Sequence, residues 1–362
     1  MPIISGPQEF HEDDLFIDLR ASIGIPLYLK FEGFNFAGSI KHKAAIAMIQ
    51  AAERRGLLRP DSVLVESSSG NLGVALSVVA AQRGYGFVCV TDARCNLESR
   101  RLMEALGAEV HVVTQPTADG GLLGARLEHV RALITADPRH VWLNQYTNPE
   151  NWGAHYRSTA PAIAARFPEL DVLFIGAGTT GTLMGCARWF REHRPEVRIV
   201  AVDAVGSVTF GHPPGLRMIP GLGAGVRPPL LDESYLDEIM LVPELETVRM
   251  CHRLAARGFL LGGSTGTVAC AAARWLAKRA PGDEPVAVGI SADSGDRYLD
   301  TVYQPHWVHE LYGPRALDPQ SESEPVPEPA PVAPQSPVGQ VAPYLIPTSS
   351  LHPVSDEAGG TR

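Results

Sequence analysis

The sequence predicts an α/β fold of mainly parallel sheets covered by helices on both faces, and three observations predict it. Short β-branched apolar runs alternate with longer runs of helical periodicity along most of the chain. The junctions where such a strand gives way to a helix are repeatedly rich in Gly, Ser and Thr, the composition of turns that present backbone N–H groups at a helix start. The length of 362 residues suffices for two α/β domains of ordinary size with a sizeable core.

In chain order, strands are expected at residues 63–65, 87–91, 109–113, 141–143, 172–175, 198–202, 239–242 and 286–290, with apolar-periodic helices between them. The first leads into Glu66-Ser67-Ser68-Ser69-Gly70-Asn71-Leu72-Gly73 and then into good helix formers from Val74 onward. Free N–H groups and hydroxyls there suit a carboxylate or phosphate, and a Ser-rich N-cap with no ligand reads equally well. The fifth leads into Gly176-Ala177-Gly178-Thr179-Thr180-Gly181-Thr182, which has the spacing G-x-G-x-x-G. Asp203 closes the next strand where a ribose-binding carboxylate belongs, so an NAD-dependent oxidoreductase stands as a distant alternative. The two threonine hydroxyls fit a terminal phosphate monoester better than a pyrophosphate, which needs bare backbone.

Two further turns bear on chemistry. Gly262-Gly263-Ser264-Thr265-Gly266-Thr267 precedes an Ala-rich helix, and a neutral hydroxyl in it suits a pyridine nitrogen; the plainer reading is one more helix start. Asn35-Phe36-Ala37-Gly38-Ser39-Ile40-Lys41 places a lysine just after a tight turn, where a desolvated amine can anchor an aldehyde cofactor covalently.

Together these segments resemble the fold-type II enzymes that use pyridoxal 5'-phosphate, in the cysteine synthase and cystathionine β-synthase branch. The matching order runs from Lys41 through Ser68, Ser69, Gly70 and Asn71 to Gly178, Thr179, Thr180, Gly181 and Thr182, and then to Ser264. Blocks around Gln145-Tyr146-Thr147-Asn148-Pro149, Gly221-Leu222-Gly223-Ala224-Gly225 and Asp293-Ser294-Gly295-Asp296-Arg297-Tyr298 match as well, so that the likeness spans residues 18–312. It implies two open, mainly parallel twisted sheets of the tryptophan synthase β type. A small domain at 44–145 would pack on a large cofactor-binding one at 1–43 and 146–312, with a homodimer as the family's usual assembly.

The resemblance further implies that Lys41 carries the cofactor and moves the substrate's α-proton. Gly178, Thr179, Thr180, Gly181 and Thr182 would hold the cofactor phosphate, and Ser264 would face the ring nitrogen. Asn71 would touch the ring hydroxyl and, with Ser68, Ser69, Gly70 and Gln145, bind the substrate α-carboxylate. Asn144-Gln145-Tyr146, Asn151-Trp152, His155-Tyr156 and Ser207-Val208-Thr209-Phe210-Gly211 look like the subgroup that condenses O-phospho-L-serine with L-glutamate toward diaminopropionate. A cysteine synthase using sulfide is the near alternative. Two anionic substrates call for cations at the mouth, with Arg126 and Tyr146 as candidates. There are departures from the family pattern: Phe36-Ala37 replaces Pro-Gly, Gly178 stands where some glutamate-using relatives have serine, and His42 follows the lysine and reads as solvent-facing.

A formal charge of −9 and the lack of a long basic run argue against a nucleic-acid partner, and no apolar stretch is long enough to cross a membrane. With no secretory pattern at the start, a cytoplasmic enzyme acting on small amino acids is expected. The five cysteines are scattered and read as reduced thiols, and the twelve histidines show no metal-ligand spacing. Eleven of the last 50 residues are proline, so residues 313–362 are expected to form an extended, disordered tail.

Overall fold

The computed structural model describes residues 3–10, 13–117, 121–280 and 282–318. The chain opens with β1 (Phe16–Asp18), the short α1 (Arg20–Ile23) and β2 (Tyr28–Phe31), then enters α2 (Lys41–Arg54). It continues through β3 (Val63–Ser67), α3 (Asn71–Arg83), β4 (Gly86–Asp92), α4 (Leu97–Ala105), β5 (Glu109–Val113), α5 (Gly121–Ala136) and β6 (His140–Trp142). Two helices, α6 (Pro149–Arg157) and α7 (Thr159–Arg166), lead to β7 (Val172–Gly176), α8 (Gly181–His193) and β8 (Arg198–Ala204). After a long irregular stretch come β9 (Glu238–Val242), α9 (Glu244–Ala255), α10 (Gly263–Leu276), β10 (Ala287–Ser291) and α11 (Pro305–Tyr312).

The strands form two sheets, one ordered β5-β4-β3-β6 and the other β1-β2-β10-β7-β8-β9. Every neighbouring pair is parallel except β1 with β2, where Phe16 faces Lys30. Burial follows from that topology. The interior strands β3, β4, β7, β8 and β10 are buried along nearly their whole length, whereas the edge strands β1, β5, β6 and β9 are mostly half-buried. The expected α/β class with two open sheets is thus what the chain adopts.

The first two strands are absent from the sequence reading. Each is only three or four residues long, and β2 is inserted beside β10, more than 250 positions away in the chain, with Tyr28 opposite Val288. Lys30 within it is fully buried, the reverse of what a lysine signals. Residues 313–318 continue the packed body: Ala316 is buried and its carbonyl accepts from Arg249 Nε at 2.9 Å. From residue 319 on, the expected tail lies outside the described residues. Among those residues, no helix is long and apolar enough to cross a membrane.

Candidate active site

The C-terminal ends of β3, β7 and β10 and the turns after them surround a cleft of about 640 Å³. Lys41 lies in its wall as the first residue of α2. Its turn is fastened by Asn35, whose Oδ1 accepts from the Ala37 and Ser39 N–H groups at 3.0 and 3.3 Å while its Nδ2 donates to the Glu32 and Ser39 carbonyls. The Ile40 N–H donates to the Ala292 carbonyl at 2.8 Å, joining the turn to the end of β10. Burial lowers the pKa of Lys41, and the charge of Asp293 works against that shift. An amine so placed is the more readily neutral and nucleophilic.

Ser68, Ser69, Gly70, Asn71, Gln145 and Tyr146 share this cleft. Ser68 Oγ accepts from the Gly73 N–H in the first turn of α3 at 3.0 Å, and Gln145 Nε2 donates to the Ser67 carbonyl at 2.8 Å. Both side chains therefore shape the loop. Beneath it, the buried carboxyl of Glu66 accepts from the Ser67 and Gln145 N–H groups and from Trp142 Nε1, yet desolvation pushes its pKa up to about 7. Asn71 Nδ2 donates to Asp293 Oδ2 at 2.7 Å, and its Oδ1 accepts from Arg297.

The glycine-threonine turn forms the N-terminus of the 13-residue α8, and Gly178, Thr179, Thr180, Gly181 and Thr182 all line the cleft. Thr180 sits in the left-handed region at φ 66°, and its buried Oγ1 has no hydrogen-bond partner. Thr179 Oγ1 accepts from Asn151 Nδ2 at 3.1 Å, and Thr182 Oγ1 lies 3.2 Å from His155 Nε2. Gly181 must lack a side chain, because a Cβ there would stand 2.2 Å from Asn151 Oδ1. An orphaned hydroxyl, a helix N-terminus and backbone-supporting asparagine and histidine suit a terminal phosphate. Ser264, buried at the second position of α10, lines the same cleft.

The sequence reading gave no role to Arg94, Arg217, Arg297 or Tyr298, all of which line the cleft, nor to Asp293 behind it. Their signal was partial: Asp293, Arg297 and Tyr298 fell in a block that only matched. Arg126 lines the cleft too, but it is buried inside α5 with Nε 3.1 Å from Asp92 Oδ2. His42 is fully buried, which corrects the solvent-facing expectation; α2 packs between α3 and α6 there. Asp203 is fully buried, and its Oδ1 accepts from the Ala204 N–H at 2.8 Å, so it is closed to a ribose. All five cysteines are buried and unpaired.

A family model described as pyridoxal-phosphate dependent enzyme matches residues 17–292. The chain is 38% identical over 293 residues to N-(2-amino-2-carboxyethyl)-L-glutamate synthase of Ralstonia nicotianae, covering 80% of this chain and 86% of that one. The crystal structure of O-acetylserine dependent cystathionine beta-synthase from Helicobacter pylori aligns with a TM-score of 0.76 at 27% identity, over 83% of this chain and 99% of that one. O-ureido-L-serine synthase aligns with a TM-score of 0.75 at 30% identity, over 83% and 95%.

Proposed function

From the premise that this chain belongs to the pyridoxal-phosphate dependent enzymes, as a β-replacement enzyme of the cysteine synthase family, we propose that it condenses O-phospho-L-serine with L-glutamate. The product is N-(2-amino-2-carboxyethyl)-L-glutamate, a precursor of 2,3-diaminopropionate for a siderophore or peptide antibiotic. One observation carries the choice of substrates. Among the described residues, the cleft is lined by Lys41, Arg94, Arg126, Arg217 and Arg297 and by no aspartate or glutamate, in a chain of formal charge −9. Sulfide is small and needs no such lining; a phosphate ester and a dicarboxylic amino acid do.

Pyridoxal 5'-phosphate, when bound, supplies an electron sink beside the substrate's α-carbon. Lys41 would hold it, with Thr179, Thr180, Gly181 and Thr182 around its phosphate and Ser264 near its ring nitrogen. Lys41 also takes the α-proton of phosphoserine and later returns it. The helix start at Ser69, Gly70 and Asn71 binds the α-carboxylate, and Tyr146, with the Asp92-paired Arg126, receives the phosphate group. Overall, the Cβ–O bond breaks, phosphate leaves with its electron pair, the glutamate nitrogen bonds to Cβ, and a proton is lost from that nitrogen.

The test is the absorption spectrum of the cofactor-loaded protein before and after O-phospho-L-serine, followed by product mass with L-glutamate or sulfide. A glutamate adduct and one phosphate per turnover are expected. Turnover with sulfide alone would make the protein a cysteine synthase.

A further inference from the structure

Deepening that reading, and resting on it, the structure bears on how the second substrate is chosen. Of the four arginines in the cleft, Arg126 is paired with Asp92, and Arg297 donates to Asn71 Oδ1 and to the Ala37 carbonyl. Arg217 differs. It is half-buried, its Nη1 donates to the Leu222 carbonyl at 3.1 Å, and its buried Nε has no hydrogen-bond partner. Among the described residues no carboxylate comes within salt-bridge distance of it, although the charges of Asp203 and Glu244 support it from farther off. A half-buried guanidinium whose carboxylates stand off beyond contact is only partly compensated, and a ligand anion in contact with it completes the compensation.

The position of Arg217 is built. The N–H groups of Met218 and Ile219, the next two residues, both donate to the Glu244 carboxylate at 2.8 and 2.7 Å, and Tyr312 Oη donates to the same group at 3.0 Å. Gly223, at φ 75°, leaves the space the guanidinium occupies, since a Cβ there would stand 2.2 Å from Nη1. The side chain is thus aimed by its neighbours.

Arg94 comes from the turn between β4 and α4. Its nearest carboxylate oxygen is Asp92 Oδ1, 3.6 Å from Nε, and Asp92 already serves Arg126 through its other oxygen. Burial lowers the pKa of Arg217, the charges of Asp203 and Glu244 raise it, and the charge of Arg94, a smaller effect, lowers it, so the two cations repel each other. We infer that Arg217, with Arg94, receives the carboxylates of the incoming amino-acid nucleophile, and that this pair selects an amino dicarboxylate over sulfide or a monocarboxylic amine.

The test uses cofactor-loaded Arg217→Gln, Arg217→Lys and Arg94→Gln proteins. Arg94 is largely exposed, so its variant remains informative if loss of Arg217 perturbs folding. The KM for L-glutamate is expected to rise roughly ten- to a hundredfold relative to the KM for O-phospho-L-serine. Arg217→Lys should recover part of the loss, and discrimination against L-norvaline should shrink in the glutamine variants. A glutamate KM unmoved in both glutamine variants overturns the inference and leaves the condensation reading standing. Equal rises in both KM values also overturn it, assigning the arginines to the phosphoserine site. Wild-type protein that turns over sulfide but never glutamate overturns the underlying reading as well.

Discussion

Asn71 Nδ2 donates to Asp293 Oδ2 across 2.7 Å, tying the first residue of α3 to the loop after β10 and thereby one sheet's helix to the other sheet's strand. Tyr298 Oη donates to the same carboxylate oxygen at 2.8 Å. Asp293 is also the charge that holds the Lys41 ammonium in place against desolvation. Asp293→Asn removes that support, so Lys41 should lose its proton at lower pH than in the wild type. Cofactor loading followed by visible absorbance against pH should begin at more acidic pH in the variant; an unchanged or more alkaline onset would sink the pairing.

Glu66 provides a pH prediction for stability. Burial raises its folded-state pKa from 4.5 to about 7, so the folded protein holds a proton there that the unfolded chain has released. The resulting stabilisation is complete below about pH 4.5 and is lost as pH rises through 7, a change of roughly 3 kcal/mol at most. Glu66→Gln cannot titrate. The stability of wild type relative to the variant should therefore fall between pH 5 and pH 8 in urea unfolding, and a difference independent of pH would refute the shift.

Thr180 combines a left-handed backbone with a buried, unpartnered hydroxyl. In cofactor-free protein both features are unfavourable, so Thr180→Gly should stabilise it by about 1 kcal/mol. The same change removes the hydroxyl proposed to donate to the cofactor phosphate and should weaken cofactor affinity roughly tenfold. Melting temperature and cofactor titration moving in opposite directions is the signature sought; loss of both would mean that Thr180 is only structural.

Lys30 and Lys43 share the buried Glu32 carboxylate, at 3.1 and 2.9 Å, with the half-exposed Asp13 as a second partner. Lys43 also donates to Thr159, whose hydroxyl lies 3.0 Å from His155 Nδ1, so the cluster reaches the glycine-threonine turn through His155. Glu32→Gln leaves two ammonium groups with one carboxylate and should cost about 3–5 kcal/mol. Lys43→Met leaves Glu32 paired with Lys30 and should cost less. Equal costs by denaturant unfolding would contradict this ranking.

The parts legible in the sequence were those governed by local pattern. Eight strands announced themselves as apolar runs, most plainly the interior ones whose two faces are covered, and a glycine is needed at 181, where Asn151 leaves no room for a side chain. What escaped was set by distant contacts. The lysine of β2 reads as a surface residue until Glu32 and Asp13 close over it. Arg217 belongs to a patternless stretch between β8 and β9, and nothing in its own neighbourhood says that Glu244 will aim it into the cleft. Arg126 carried the right chemistry, but its partner Asp92 lies at the end of β4, more than thirty residues away in the chain.

A cationic lining does not distinguish an arriving anion from a departing one. Under the proposed condensation, inorganic phosphate released beside the cleft arginines would leave against their attraction and compete with the next substrate for the same ground. Turnover in such a cleft would then be governed as much by escape as by bond-making, with sulfate or phosphate in the medium as a brake on it.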